Sequence, residues 1–138
     1  MPGENFKRCQ SHLCYVAVDV ATSKNTVIGI IRTVIPDKDI DEDLDHLIRE
    51  KIPKADKKGE IGHVELVEVL EDWRRKGVAT ALINHTFKYI GMKMPKVVAM
   101  YLIVNPLSKG AVELYKKTKF QFIIKDGICD IYARYDFT

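Results

Sequence analysis

Arg74-Arg75-Lys76-Gly77-Val78-Ala79-Thr80 joins an apolar run, Val64 to Leu70, to a segment of helical periodicity, Val78 to Met92. A turn there collects free backbone N–H groups, the positive end of a helix dipole and three cations around one point, an arrangement suited to a pyrophosphate. Gly77 lets the backbone approach a bulky anion with no Cβ in the way, and Ala79 keeps a nearby position small. Basic turns before helices also occur where no anion binds, so the flanking elements must decide.

Those elements read clearly. Leu13 to Val20 and Val27 to Val34 are β-branched and aromatic runs about the polar turn Ser23-Lys24-Asn25, a hairpin. Residues 36–60 turn charged, with Asp41 as N-cap of a short helix carrying Leu44, Leu47 and Ile48 on one face. This charged insertion is expected to lie over the sheet and to end in a flexible stretch, Lys54 to Gly59. Ile61 to Leu70 is the next strand. The helix after it aligns Ala79, Leu82, Ile83, Thr86, Phe87 and Ile90 in one stripe. Lys96 to Val104 is nearly all apolar, as a central strand covered on both faces should be. Ser108 caps a helix with Ala111, Leu114 and Tyr115 inward, and Phe120–Lys125 and Asp130–Phe137 form two strands about Asp126-Gly127. The order β-β-(α)-β-α-β-α-β-β predicts a mixed α/β (α+β) fold with a central right-handed βαβ unit.

With 138 residues the chain is expected to be one domain, 1–138. A net charge of +3, with basic residues clustered only at 74–76 and 116–119, argues against nucleic acid as a partner and suits a polyanionic small molecule. Cys9, Cys14 and Cys129 contain no CxxC pair and are odd in number, so neither a disulfide framework nor a metal site is expected. The first ten residues hold no apolar core of a signal peptide, and no run reaches membrane-spanning length. The expected setting is the cytoplasm, with the nucleus as the alternative, and no membrane partner.

Three segments, in order and spacing, resemble the GNAT N-acetyltransferases. The first is GHVELVEVLEDWRRKGVATALI (62–83), whose loop resembles the family's Arg/Gln-x-x-Gly-x-Gly/Ala pattern. The second is YLIV (101–104) followed by Ser108 and Ala111-x-x-Leu114-Tyr115-x-x-x-x-Phe120, similar to Asn-x-x-Ala-x-x-Leu-Tyr-x-x-x-Gly-Phe. The third, DGICDIYARYDF (126–137), resembles the terminal strands of the protein N-terminal acetyltransferases. The chain departs at Ser108, where many members have Asn, and at Lys119, where Gly usually precedes Phe and whose turn is therefore open to another geometry. The largest departure is at the N-terminus, where about a dozen residues stand in place of another strand and one or two helices that wall the acceptor site. The fold implied is a GNAT-like, mostly antiparallel twisted sheet.

The resemblance implies acetyl-CoA as co-substrate, no metal, and direct attack of a primary amine in a ternary complex. It implies that Val67, Val69, Arg74, Arg75, Lys76, Gly77, Val78, Ala79, Thr80, Ser108 and Tyr115 bind the coenzyme, a bulge turning backbone groups at Val67 and Val69 toward the thioester. Preorganised donors of that kind are worth ~3 kcal/mol on a barrier. Tyr115 matches a tyrosine that protonates the leaving thiolate in many members, and also reads as a core tyrosine on an amphipathic helix. His63, fourteen residues before Gly77, stands where related enzymes carry a catalytic Glu or Tyr, and also reads as a structural strand histidine. Glu65 is the reserve base, placed on the His63 face by strand alternation, with Glu68 on the other face unless a bulge intervenes. His12, His46 and His85 carry no assigned role, and an acetyl-cysteine route through Cys129 is not expected.

The acceptor stays open. Ile103 stands where some N-terminal acetyltransferases have His, and GHVELVEV also resembles the amino-sugar-phosphate acetyltransferases. The short N-terminus keeps two further readings in view. One is a non-catalytic coenzyme A-binding regulatory module. The other is a homodimer in which a partner supplies the missing wall.

Overall fold

The computed structural model describes residues 4–9, 13–21 and 26–138. The turn expected at Ser23-Lys24-Asn25 and His12 lie outside the described residues. Among the described residues one sheet of seven strands runs in the order β1-β2-β3-β4-β5-β7-β6. β1 (Glu4–Arg8), β2 (Cys14–Asp19), β3 (Thr26–Val34) and β4 (Glu60–Val69) form an antiparallel meander. Helix α2 (Val78–Lys93) then crosses to β5 (Val97–Val104), which lies parallel to β4. β7 (Cys129–Arg134) pairs antiparallel with β5 on one side and with the edge strand β6 (Gln121–Asp126) on the other. Helix α1 (Glu42–Glu50) interrupts β3 and β4, and α3 (Lys109–Lys117) interrupts β5 and β6.

The two faces of the sheet carry separate cores. Against one face α2 buries Val78, Leu82, Ile83, Thr86, Phe87 and Ile90. Val78 replaces Ala79 in the expected stripe, and Ala79 stays half-buried. On the opposite face α1 inserts the fully buried Ile48 among Ile61, Ala99, Tyr101, Ile131 and Ala133. The Asp41 carboxylate caps α1 by accepting from the Leu44 N–H at 3.2 Å, and the Tyr135 hydroxyl donates to the Ile48 carbonyl at 2.6 Å. β5 serves both cores, with Met100 and Leu102 turned to α2 and Ala99 and Tyr101 to α1, as its unbroken apolar run requires.

Several expectations need correction. β1 is an additional strand, pairing Arg8 with Tyr15 through Glu4 with Asp19, so the N-terminus does supply one of the elements thought missing. That pairing also brings Cys9 and Cys14 to a Cα separation of 5.1 Å, and they form a disulfide where no disulfide framework was expected. Within the stretch 54–59, Arg49 Nη1 donates to the carbonyls of Lys57 and Gly59, each at 3.0 Å. Ser108 holds the N-cap position of α3 but makes no capping bond with its side chain. Lys119 keeps the left-handed backbone (φ 72°) that a glycine would supply, its ammonium 3.4 Å from Asp136.

Candidate active site

Strands β4 and β5 stay paired only from Glu60 and Val97 to His63 and Tyr101, though β4 runs on to Val69 and β5 to Val104. Beyond His63 the strands part and leave a wedge between them. A bulge at the same place changes the aim of β4. Arg32 faces Leu66 and Thr33 faces Val64, so Glu65 is the extra residue. Val64 before the bulge and Val67 and Val69 after it all join the core under α2, while Leu66 and Glu68 take the His63 face. Glu65 therefore does not sit by simple alternation. Its half-exposed carboxylate reaches the Arg32 guanidinium at 3.4 Å.

On the α2 face the wedge leads into a cleft of about 740 Å³. Val67, Glu68 and Val69 of β4 form one side. A 3₁₀ turn over Glu71–Trp73 and the basic loop form the floor, contributing Trp73, Arg74, Arg75 and Gly77. Val78, Ala79 and Thr80 of the first turn of α2 close one end, and Ser108, Gly110, Ala111, Glu113, Leu114, Tyr115 and Lys117 face them from α3. Arg75 (φ 63°) and Gly77 (φ 83°) both have left-handed backbones, and Gly77 caps α2 with no side chain. The opening N–H groups of α2 are thus turned over to whatever occupies the cleft. Arg74 Nε donates to the Val69 carbonyl at 3.0 Å, clamping the loop to the end of β4. Lys76 stands apart from the cleft lining, its ammonium over the Trp73 ring at 5.4 Å. Burial raises the Tyr115 phenol above its ordinary pKa of 10.0, so it remains a proton donor.

His63 and Glu65 do not line this cleft. His63 lies at the mouth of the wedge on the other face, its ring stacked flat on Tyr101 with centroids 4.4 Å apart. Burial holds the imidazole below its ordinary 6.5, against the opposing pull of the Asp37 and Glu65 carboxylates. It is therefore neutral at neutral pH and able to accept a proton. The Tyr101 hydroxyl donates to Asp37 Oδ2, and the phenol is held well above its ordinary range by burial and by that bond. Neither Asp37 nor Tyr101 stood out in the sequence: Asp37 lies among a charged stretch, and Tyr101 inside an apolar strand. Trp73, also missed, was readable as the lone tryptophan beside the basic loop.

The parted strands thus lie between a cleft with a basic loop and the Tyr115 phenol on one face and the His63 imidazole on the other. Similarity to known proteins extends over most of this frame. A family model described as "Acetyltransferase (GNAT) family" matches residues 2–120. An uncharacterized N-acetyltransferase of Methanocaldococcus jannaschii is 33% identical over 64 residues, which are 46% of this chain and 27% of that protein. The chain thus spans about a quarter of the length of this curated relative. Arabidopsis thaliana NAA60 in complex with a bisubstrate analogue superposes with a TM-score of 0.70 at 23% identity, covering 89% of this chain and 74% of that one. NAA60 in complex with acetyl-CoA superposes with a TM-score of 0.69 at 24% identity, covering 90% and 76%. At these identities the structures establish a shared fold.

Proposed function

The chain belongs to the acetyltransferase (GNAT) family, and from that premise we propose that it transfers the acetyl group of acetyl-CoA to a primary amine by direct attack in a ternary complex. The observation that carries this reading is the cleft itself, where an uncapped helix start, Arg74 and Arg75 meet the parted strand β4. The pyrophosphate of the coenzyme fits the N–H groups of residues 77–80, and its pantetheine arm fits the wedge beside Val67 and Val69. NAA60, a protein of the same fold, has been solved with acetyl-CoA.

In this reading the amine enters from the His63 face. Its nitrogen forms a bond to the acetyl carbon while the carbon–sulfur bond breaks. His63 accepts the proton that the amine loses, and Tyr115 donates one to the departing thiolate. Glu65 is held by Arg32 and is the weaker base candidate. The acceptor is an amine of a peptide or protein, because the His63 face stays open at Ile103, half of whose surface is exposed, and α1 covers only its lower end. A small amine such as an amino-sugar phosphate is the alternative.

Calorimetric titration with acetyl-CoA, followed by a panel of free-amine peptides, amino-sugar phosphates and polyamines, tests the proposal. Binding with turnover of a peptide amine supports it whole. Binding with no turnover of any amine leaves a coenzyme A-binding module, and no binding removes the enzymatic reading. Gly77→Glu places a carboxylate against the anion and should abolish binding, while circular dichroism checks that the left-handed residue tolerates a side chain.

A further inference from the structure

The Asp37 carboxylate has both oxygens committed. Oδ1 accepts from the Asp39 N–H at 3.1 Å, and Oδ2 accepts from the Tyr101 hydroxyl while lying 3.9 Å from His63 Nδ1. The backbone fixes its position as well, since the Asp37 N–H donates to the Ile61 carbonyl at 2.8 Å and so continues the β3–β4 pairing past Val34. Its side chain is only 10% exposed, in surroundings where a charge acts more strongly than in water. The His63 ring lies flat against Tyr101, at 6° to the phenol. Nδ1 looks toward Asp37, across a gap that a small ring rotation or one bridging water closes.

We propose that Asp37 is a positioning residue: anchored on the Tyr101 hydroxyl, it holds the proton on His63 Nδ1 and so makes Nε2 the basic nitrogen presented to the acceptor amine. This rests on the reading of His63 as general base. A carboxylate beside one imidazole nitrogen selects the tautomer that carries hydrogen there and stabilises the imidazolium once the second proton arrives. A merely structural Asp37 would satisfy the Tyr101 hydroxyl and leave the tautomer of His63 to chance.

Nitrogen–proton correlation NMR of the imidazoles reads this directly and needs neither acceptor nor coenzyme, the His63 signals being assigned by their loss in His63→Gln. The expected result is the Nδ1–H tautomer in the parent chain at neutral pH, the reverse of a free histidine in water, shifting toward Nε2–H in Asp37→Asn. Tyr101→Phe, which frees the carboxylate, should shift it partway. An Nε2–H tautomer in the parent chain, or one unchanged by Asp37→Asn, overturns the proposal. In turnover, Asp37→Asn should lower kcat by about ten- to a hundredfold with the KM for acetyl-CoA unchanged. Its acid limb should also move to lower pH. The charged and titratable groups facing His63 are Asp37 after β3, Glu65 on β4 and Tyr101 on β5, and only the first has changed. If His63→Gln binds acetyl-CoA and keeps full turnover, the base reading falls and this proposal with it. If His63→Gln is inactive while Asp37→Asn keeps its kcat and tautomer, only the role of Asp37 falls.

Discussion

In the proposed reaction Tyr115 and His63 divide the proton traffic between the two faces of one sheet, and burial shifts each in the direction that task requires. Tyr115→Phe keeps the ring against Phe120 and removes only the hydroxyl, so acetyl-CoA should bind as before while kcat falls by about 10²-fold. For His63, the fold disfavours the imidazolium, so the acid limb of kcat/KM should lie below pH 6.5 and vanish in His63→Gln. The same depression means that the unfolded chain takes up the proton first, so stability from this residue is full above pH 6.5 and declines as the pH drops toward the folded pKa. Both residues were legible as candidates, His63 fourteen residues before Gly77 and Tyr115 within the Ala-x-x-Leu-Tyr segment, and of the two only Tyr115 lines the cleft. Asp37 was not legible, since it meets Tyr101 across 64 residues of sequence, and no local pattern announces such a contact.

Helices and central strands were readable because each carries its own hydrophobic period, and α2 lies within a residue of its expected span. β1 was missed for the opposite reason. Glu-Asn-Phe-Lys-Arg has no apolar alternation, and it is a strand because β2 offers an edge and Phe6 stacks on His85 of α2. The bulge at Glu65 likewise follows from pairing with β3, which a single strand's sequence does not show. The Cys9–Cys14 bond closes a short loop between β1 and β2, so mild reduction should lower stability by about 2 kcal/mol, measured by urea titration with and without dithiothreitol. At the other end of the sheet, burial pushes the Tyr135 phenol up to about 12. An unfolded tyrosine ionises near 10, so the stability it contributes is full below pH 10 and should be lost as the pH climbs toward 12. Alkaline denaturation of Tyr135→Phe, which lacks the bond to α1 and the titration, should show a weaker dependence across that range.

On the scale of the whole molecule, the core under α2 is built around Phe87, packed by Phe120, Phe137 and the Arg134 guanidinium 4.2 Å from its ring. Phe87→Ala should cost about 3–5 kcal/mol, seen as a lower melting temperature by calorimetry. The sheet itself is less uniform than its seven strands suggest. A block of four strands and a block of three are sewn together by four residue pairs at one end of β4 and β5. Beyond that short seam the two blocks are held together by the cores that α2 and α1 bury across them, and between the parted ends of β4 and β5 lies the wedge. A guest lodged there works as a splint across the seam, so its arrival should be audible along the whole length of the sheet as slower amide exchange in β4 beyond His63, well away from any atom it touches.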